Sequence, residues 1–92
     1  MVRLIWSKTA LNDLKRIAEY IEKDSLQYAK IFISKLYSSA ERLQYFPESG
    51  RIVPEFHINE IREIIYQSYR LLYEYEDNTV RILTIVHCRR DI

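Results

Sequence analysis

The sequence is poor in the residues that build cofactor sites and covalent cross-links. Its 92 residues include one cysteine, one glycine and two prolines. The single cysteine, Cys88, has no second cysteine with which to form an internal disulfide. Zinc-spacing clusters, phosphate-binding loops and nucleophile elbows need cysteine pairs or glycine-rich motifs, which the sequence lacks. We therefore expect neither a metal site nor a cofactor.

Long apolar runs, repeats and low-complexity stretches are also missing. Without an apolar run of spanning length or a signal peptide, the chain is expected to be cytoplasmic and to have no membrane association. A hydrophobic content of 48% over 92 residues is typical of a globular protein. This length predicts one domain, residues 1–92, with a single modest core.

Charge of one sign is not in excess. Fourteen Lys and Arg residues stand against 13 Asp and Glu residues, which gives a formal net charge of +1. Such a chain has almost no overall field to attract nucleic acid, so any phosphate contact has to come from a local patch. The clearest local excess is at the C-terminal end, where Arg89 and Arg90 are adjacent.

Residues 61–87 are rich in Ile, Val, Leu and Tyr and predict a three-stranded antiparallel meander. Its segments are IREIIY, YRLLYEY and VRILTIVH, separated by a two-residue and a four-residue connection. Hairpin loops of these lengths pair Tyr66 with Tyr69 and Tyr75 with Val80.

Strict side-chain alternation then divides the meander into two faces. The first face combines aliphatic residues with four tyrosines and consists of Arg62, Ile64, Tyr66, Tyr69, Leu71, Tyr73, Tyr75, Val80, Ile82, Thr84 and Val86. The second face combines an apolar row with charges and consists of Ile61, Glu63, Ile65, Arg70, Leu72, Glu74, Arg81, Leu83, Ile85 and His87. Neither face is uniformly apolar, so the pattern leaves open which of them the helices cover.

Two amphipathic helices precede the meander. The first begins after the cap residue Ser7 and has an apolar stripe of Ala10, Leu11, Leu14, Ile17, Ala18 and Ile21. The second begins after Asp24 or Ser25, either of which is a suitable cap, and its stripe consists of Ala29, Phe32, Ile33, Leu36, Ala40 and Leu43. Their short connection predicts an antiparallel helical hairpin that packs on the sheet.

The remaining segments complete the predicted architecture. Residues 2–6 form an N-terminal strand that joins the meander, and residues 51–53 form a short strand before Pro54. Gly50 is expected to adopt a backbone conformation that other residues avoid. The sequence thus predicts an α+β fold, in which a helical hairpin packs on a small, mostly antiparallel sheet in the order β-α-α-β-β-β-β.

Few residues are candidates for chemistry. His87 lies beside Arg89 and Arg90 at the end of the last strand and, in the predicted register, near Tyr69 and Arg70. Such a group suits general acid–base work on a phosphodiester, with arginines stabilising the charge that develops at phosphorus. The alternative is structural, with a histidine anchoring a strand end and arginines exposed to solvent.

Arg62 and Arg70 are unusual because they lie within otherwise apolar strands. A buried charge has to be paired. For Arg70 the structural interpretation is an ion pair with Glu63 or Glu74, and the functional one is a contact with a phosphate or with a partner's carboxylate.

The order of several segments resembles the RelE/ParE toxin superfamily over nearly the whole chain. The resemblance begins with Trp6, Ala10, Asp13, Leu14 and Ile17, continues with FPESGR at residues 46–51 and IRE at 61–63, and ends with YRLLY at 69–73, Ile82, Leu83, His87, Arg89 and Arg90. It implies a helical hairpin on a small sheet and a toxin that a cognate antitoxin wraps and holds inactive, in a hetero-oligomer.

The superfamily contains ribosome-dependent messenger RNA endonucleases and ParE-like inhibitors of DNA gyrase. The nuclease pattern uses two lysines on the first meander strand, an arginine in the "YR" segment, an arginine after the last strand and a terminal tyrosine. Arg70 and Arg89 match the two arginines, whereas Arg62 is the only cation on the first strand and the sequence ends at Ile92 without such a tyrosine.

These departures favour a ParE-like member that binds gyrase through Arg62, Arg70, Arg89 and Arg90. One alternative is a nuclease that acts on messenger RNA at the ribosome, with Arg70, His87 and Arg89 as catalytic residues. The other is an inactive relative that retains only antitoxin binding.

Overall fold

The computed structural model describes residues 1–56 and 60–89, and the predicted α+β architecture is confirmed. The helices are α1, Lys8–Glu22, and α2, Leu26–Glu41, which continues into a 3-10 turn at Arg42–Gln44. The strands are β1, Arg3–Trp6, β2, Arg51–Ile52, β3, Ile61–Tyr66, β4, Tyr69–Glu76, and β5, Thr79–His87.

The five strands form one sheet in the order β1-β5-β4-β3-β2. The three central strands are the predicted antiparallel meander, and both predicted pairs, Tyr66 with Tyr69 and Tyr75 with Val80, are observed. β1 adds to the sheet in parallel to β5, whereas β2 pairs antiparallel with the other edge. The second hairpin is tighter than expected, because Glu76 pairs with Thr79 and leaves Asp77 and Asn78, both at positive φ, as its loop.

A bulge in β5 changes the predicted division of faces. Leu72 pairs with Thr84 and Tyr73 pairs with Ile82, so Leu83 is an extra residue in β5. Beyond it the side-chain alternation is reversed. Ile85 and His87 therefore share a face with Leu71 and Tyr69, and the prediction that put them on the other face was wrong.

Ser7 anchors the bulge and the first helix together. Its hydroxyl accepts from the backbone N–H of Ala10 at 3.0 Å, as the predicted helix cap, and donates to the carbonyl of Leu83 at 2.8 Å. Its own N–H donates to the carbonyl of Ile82 at 3.0 Å. One residue thus terminates β1, starts α1 and fixes the irregular point of β5. In the second helix Ser25, rather than Asp24, is the cap.

The helical hairpin covers the face that carries Leu71 and Tyr73. The core between them is formed by Ala10, Ile17, Phe32, Leu36, Ala40, Leu43, Leu71, Tyr73, Val80, Ile82 and Ile85. Most of the two predicted stripes lies in this core or against it, but Leu11 is 50% exposed. The pattern did not decide which face the helices cover, and the structure shows that it is the face with the tyrosines.

Gly50 is required for close packing, and not for the unusual backbone conformation that the sequence suggested. Its φ is not positive. A Cβ atom at this position would lie 2.5 Å from the Tyr73 hydroxyl and 2.6 Å from the Glu63 carbonyl oxygen. The absent side chain lets the Gly50 N–H donate to the Tyr73 hydroxyl at 2.9 Å, while that hydroxyl donates to the carbonyl of Pro47 at 2.8 Å. Burial raises the pKa of the Tyr73 hydroxyl, which keeps it a donor.

Within residues 1–56 and 60–89, neither helix has the length and apolar character needed to cross a membrane.

The helix faces can be tested by stability measurements. Leu36 is fully buried, and Leu36→Ala should lower the free energy of unfolding by roughly 2 to 5 kcal/mol because it leaves a cavity. Lys15 is exposed, and Lys15→Ala should change it by less than about 0.5 kcal/mol. Urea unfolding of both variants is the measurement, and equal losses would contradict the assigned faces.

Candidate functional site

Arg70 lies on the sheet face away from the helices and is bonded to two carboxylates. Its Nε donates to Glu63 at 2.5 Å, and its Nη1 and Nη2 donate to the two carboxylate oxygens of Glu55 at 3.1 and 3.4 Å. The predicted ion pair with Glu63 is therefore observed, whereas Glu55 takes the place considered for Glu74, which instead pairs with Arg81. The Arg70 side chain is 10% exposed, so these bonds hold a nearly buried charge.

Glu63 is the fully buried centre of this network. Its second carboxylate oxygen accepts from Nε of Arg51, on the neighbouring strand β2, so it is held between two guanidinium groups. A buried carboxylate without such partners would be strongly unfavourable. The network also ties residues 51–55 to β3 and β4.

The electrostatics of Glu55 and Arg70 reflect their contact. The hydrogen bond from Arg70 holds the pKa of the Glu55 carboxyl below its ordinary value of 4.5. The same contact is the main cause that raises the pKa of the Arg70 guanidinium. Both groups are therefore charged at neutral pH, and two carboxylates offset the positive charge of Arg70.

Arg62 braces the loop that contains Gly50. Its Nη1 donates to the carbonyl of Gly50 at 2.8 Å and to that of Glu48 at 3.2 Å, and its Nη2 lies 3.6 Å from the Glu48 carboxylate. These contacts leave the Arg62 side chain 19% exposed. Arg62 is thus engaged within the chain, like Arg70.

His87 and Arg89 lie on the other side of the sheet, in a cleft between α1 and the end of β5. The His87 ring contacts the Tyr69 ring edge-on at a centroid distance of 5.3 Å, and its Nδ1 accepts from the Arg89 backbone N–H at 3.2 Å. The cleft has a volume of about 500 Å³ and is lined by Asp13, Arg16, Ile17, Tyr20, Tyr69, Ile85, Val86, His87 and Arg89.

The structure does not bring together all the residues proposed from the sequence. His87 and Arg89 share the cleft with Tyr69, as expected. Arg70 is on the opposite face, because the bulge at Leu83 reverses the alternation in β5, so the expected grouping of Arg70 with His87 does not form. Arg90 lies outside the described residues, and its proposed target contact stays a prediction.

Two residues of the cleft, Asp13 and Arg16, were not predicted from the sequence. Asp13 lies outside the apolar stripe of α1, but its Oδ2 accepts from the Ile85 N–H at 2.9 Å and from the Thr84 hydroxyl at 2.5 Å. Its Oδ1 accepts from Nη2 of Arg16 at 3.1 Å, which directs this arginine over the cleft. The spacing of three residues between Asp13 and Arg16 was an available signal for their ion pair. The contact of Asp13 with β5 could not be predicted, because it depends on the bulge at Leu83.

A second depression lies on the outer side of the helical hairpin. It has a volume of about 620 Å³ and is lined by Ala18, Glu22, Leu26, Ala29, Lys30, Ile33, Ser34, Tyr37, Ser38 and Glu41. Leu26 is 56% exposed and Tyr37 is 42% exposed, so apolar surface is exposed at the start of α2 and in its second half. We call this depression the helix groove.

Neither depression has the donor set of a metal site. Within residues 1–56 and 60–89, no group of three or more His, Cys, Asp or Glu side chains is arranged to hold a metal ion.

Comparison with known proteins identifies relatives over almost the full chain. Residues 4–92 match the family model of the ParE toxin of the type II toxin–antitoxin system parDE. The chain is 31% identical over 91 residues to a protein named Toxin RelE2 from Caulobacter vibrioides, covering 98% of this chain and 99% of that one. It is 29% identical over 89 residues to a protein named putative toxin Y4kP from Sinorhizobium fredii, covering 96% and 90% of the two chains.

Solved structures have the same fold. A chain from the chromosomal ParDE system of P. aeruginosa superimposes with a TM-score of 0.79 at 19% identity, covering 95% of this chain and 96% of that one. A chain from the RelBE2 toxin–antitoxin complex of Mycobacterium tuberculosis superimposes with a TM-score of 0.68 at 22% identity, covering 94% and 96%.

The structural role of Arg70 can be tested by removing it. Arg70→Ala should lower the free energy of unfolding by about 3 to 5 kcal/mol, because it leaves the buried Glu63 with one partner fewer. Arg81→Ala removes an exposed ion pair with Glu74 and should cost at most about 1 kcal/mol. Chemical unfolding of the two variants measures both effects, and a similar small loss for Arg70→Ala would show that the network contributes little.

Proposed function

Because the chain belongs to the ParE toxin family of type II toxin–antitoxin systems, we propose that it is a toxin that acts by binding DNA gyrase. We further propose that a cognate antitoxin holds it inactive. Toxicity is then an interaction between proteins and requires no chemical step at this chain.

The observation that carries the proposal is the engagement of Arg70. A nuclease needs a guanidinium that is available to the developing charge on a phosphate. Here Glu55 and Glu63 accept hydrogen bonds from Nε, Nη1 and Nη2 of Arg70. The imidazole of His87 lies across the sheet in the α1–β5 cleft, so the acid–base group and this cation do not act on one phosphodiester. Binding through exposed residues of the cleft fits this arrangement better.

The charge of the chain supports the same conclusion. A net charge of +1 provides little attraction to the dense phosphate of a ribosome. Arg and Tyr, both present in the cleft, are enriched in protein interfaces.

The helix groove is the surface that suits the antitoxin. It is mainly apolar, with Glu22, Lys30 and Glu41 among its charged lining residues. An amphipathic helix docks in such a groove by inserting its apolar face, with charges around the edge. An antitoxin segment that folds on binding buries a large area and offsets its own ordering cost.

The target can be tested with purified protein in two parallel assays. We expect inhibition of gyrase supercoiling and no cleavage of messenger RNA on ribosomes. Arg89→Gln should raise the inhibitory concentration about 5-fold, because an exposed charge contact contributes about 1 kcal/mol, and the effect should shrink at high salt. Arg81→Gln, whose exposed arginine pairs with Glu74 outside the cleft, is the matched control and should inhibit like the wild type.

Codon-phased cleavage of messenger RNA on ribosomes would contradict this proposal. If His87→Gln then lowered cleavage by about 10²-fold or more, proton transfer would be part of the activity and the chain would be an endonuclease. If the chain inhibited growth but neither inhibited gyrase supercoiling nor cleaved messenger RNA, gyrase would also be excluded as the target.

The antitoxin surface can be tested by co-expression with the small open reading frame next to the toxin gene. Leu26→Glu puts a charge in the helix groove and should weaken the complex at least about 10-fold, with loss of growth rescue. Leu11→Glu is the control, since Leu11 is 50% exposed on α1 outside the groove and should not affect the complex. Rescue of the Leu26→Glu variant by the same partner would exclude the groove, and a wild-type chain without any co-purifying partner would exclude the antitoxin proposal.

A further inference from the structure

The cleft between α1 and β5 runs along a strand edge that no other strand covers among residues 1–56 and 60–89. β1 pairs with β5 only as far as Trp6 with Ile82, after which Ser7 leads the chain into α1. The N–H of Ile85, which would otherwise pair with a neighbouring strand, donates instead to the Asp13 carboxylate. Beyond this point the edge of β5 borders the cleft.

The backbone of His87 points toward this open edge. The Ile85 N–H is directed to Asp13, on the α1 side. Backbone groups of alternate strand residues point to the same side, so the N–H and C=O of His87 point to the α1 side as well. In agreement, the N–H of the next residue, Cys88, points the other way and donates to the carbonyl of Ser68 at 2.7 Å. His87 can therefore exchange main-chain hydrogen bonds with an added extended segment.

Positive and aromatic side chains surround this edge. The Arg16 side chain is 73% exposed even though Asp13 orients it, and Arg89 is exposed at the end of β5. Tyr20 is 67% exposed and forms part of the wall. A strand edge flanked by two arginines and a tyrosine combines main-chain recognition with charge complementarity to an anion.

We propose that this cleft binds an extended acidic segment of the toxin's protein target, which pairs with β5 at His87 and contacts Arg16 and Arg89 through its carboxylates. The inference rests on the proposed function, in which toxicity is a binding event. A peptide is favoured over RNA because the open edge offers main-chain hydrogen bonds that a peptide backbone, with its own N–H and C=O groups, can return.

The test is a titration of the full isotope-labelled chain, followed by amide chemical shifts. The probe is a capped pentapeptide of sequence EIEVE, and the comparison ligands are its QIQVQ counterpart and a single-stranded RNA pentanucleotide. We expect saturable shifts at His87 and Arg16 with the acidic peptide and binding about 5-fold weaker to the Arg16→Gln variant. Lys15→Gln, at an exposed neighbouring position outside the cleft, should bind like the wild type.

Three results would overturn the proposal: no shifts at the cleft, equal binding of the QIQVQ peptide, or tighter binding of the RNA to the same residues. The titration contains no gyrase, so its outcome is independent of the target assay. If the peptide does not bind but the chain inhibits gyrase, only the proposal for the cleft is rejected. If the peptide binds but the chain does not inhibit gyrase, only the proposed target is rejected.

Discussion

The extra residue in β5, Leu83, determines which side chains can meet in this protein. Without it, strict alternation would put Ile85 and His87 on the face of Arg70, and the core would lose Ile85. The bulge places a hydrophobic residue under the helices and moves an imidazole to the α1 side. Ser7 stabilises this irregular point through the Leu83 carbonyl, so the cap of the first helix and the layout of the cleft depend on the same hydroxyl.

The two faces of the sheet consequently have different physical roles. The helix-covered face is an apolar core that includes Tyr73, with Tyr66, Tyr69 and Tyr75 at its margin. The other face buries Leu72 and Val53 beside the charged network of Arg51, Glu55, Glu63 and Arg70. Each buried charge in the network has an opposite partner, so the short segment 51–55 is attached to the sheet by ion pairs as well as by the buried side chain of Val53. In the cleft on the helix side, the exposed cations are Arg16, which pairs with Asp13, and Arg89.

The elements of the fold were predictable because each has a local signal. Periodic apolar stripes identified both helices, and the cap Ser7 identified the start of the first, whereas the cap of the second was left open between Asp24 and Ser25. The β-branched and aromatic runs separated by short loops gave the meander with its observed pairs. The family resemblance agreed with this architecture, and the family model matches residues 4–92.

The arrangement of the site was less predictable, because it depends on contacts between distant residues. A bulge has no local signature in VRILTIVH, so the side of the sheet on which His87 lies could not be inferred. Asp13 looked like any exposed carboxylate on α1, since its partners Thr84 and Ile85 are more than 70 positions away. The need for glycine at position 50 could not be predicted either, because the side chain that leaves no room for a Cβ belongs to Tyr73, 23 positions away on β4.

The pairing of β1 with β5 gives this small fold a demanding folding topology. Arg3 lies beside Thr79 in the sheet, and Ser7 bonds to Leu83 across 76 positions of sequence. Contacts of such separation require closure of nearly the whole chain, which slows folding relative to a helical protein of equal length. During synthesis the sheet is incomplete until the β5 segment is available. The cleft, which is built from α1 and β5, therefore cannot form before the β5 segment has been synthesised.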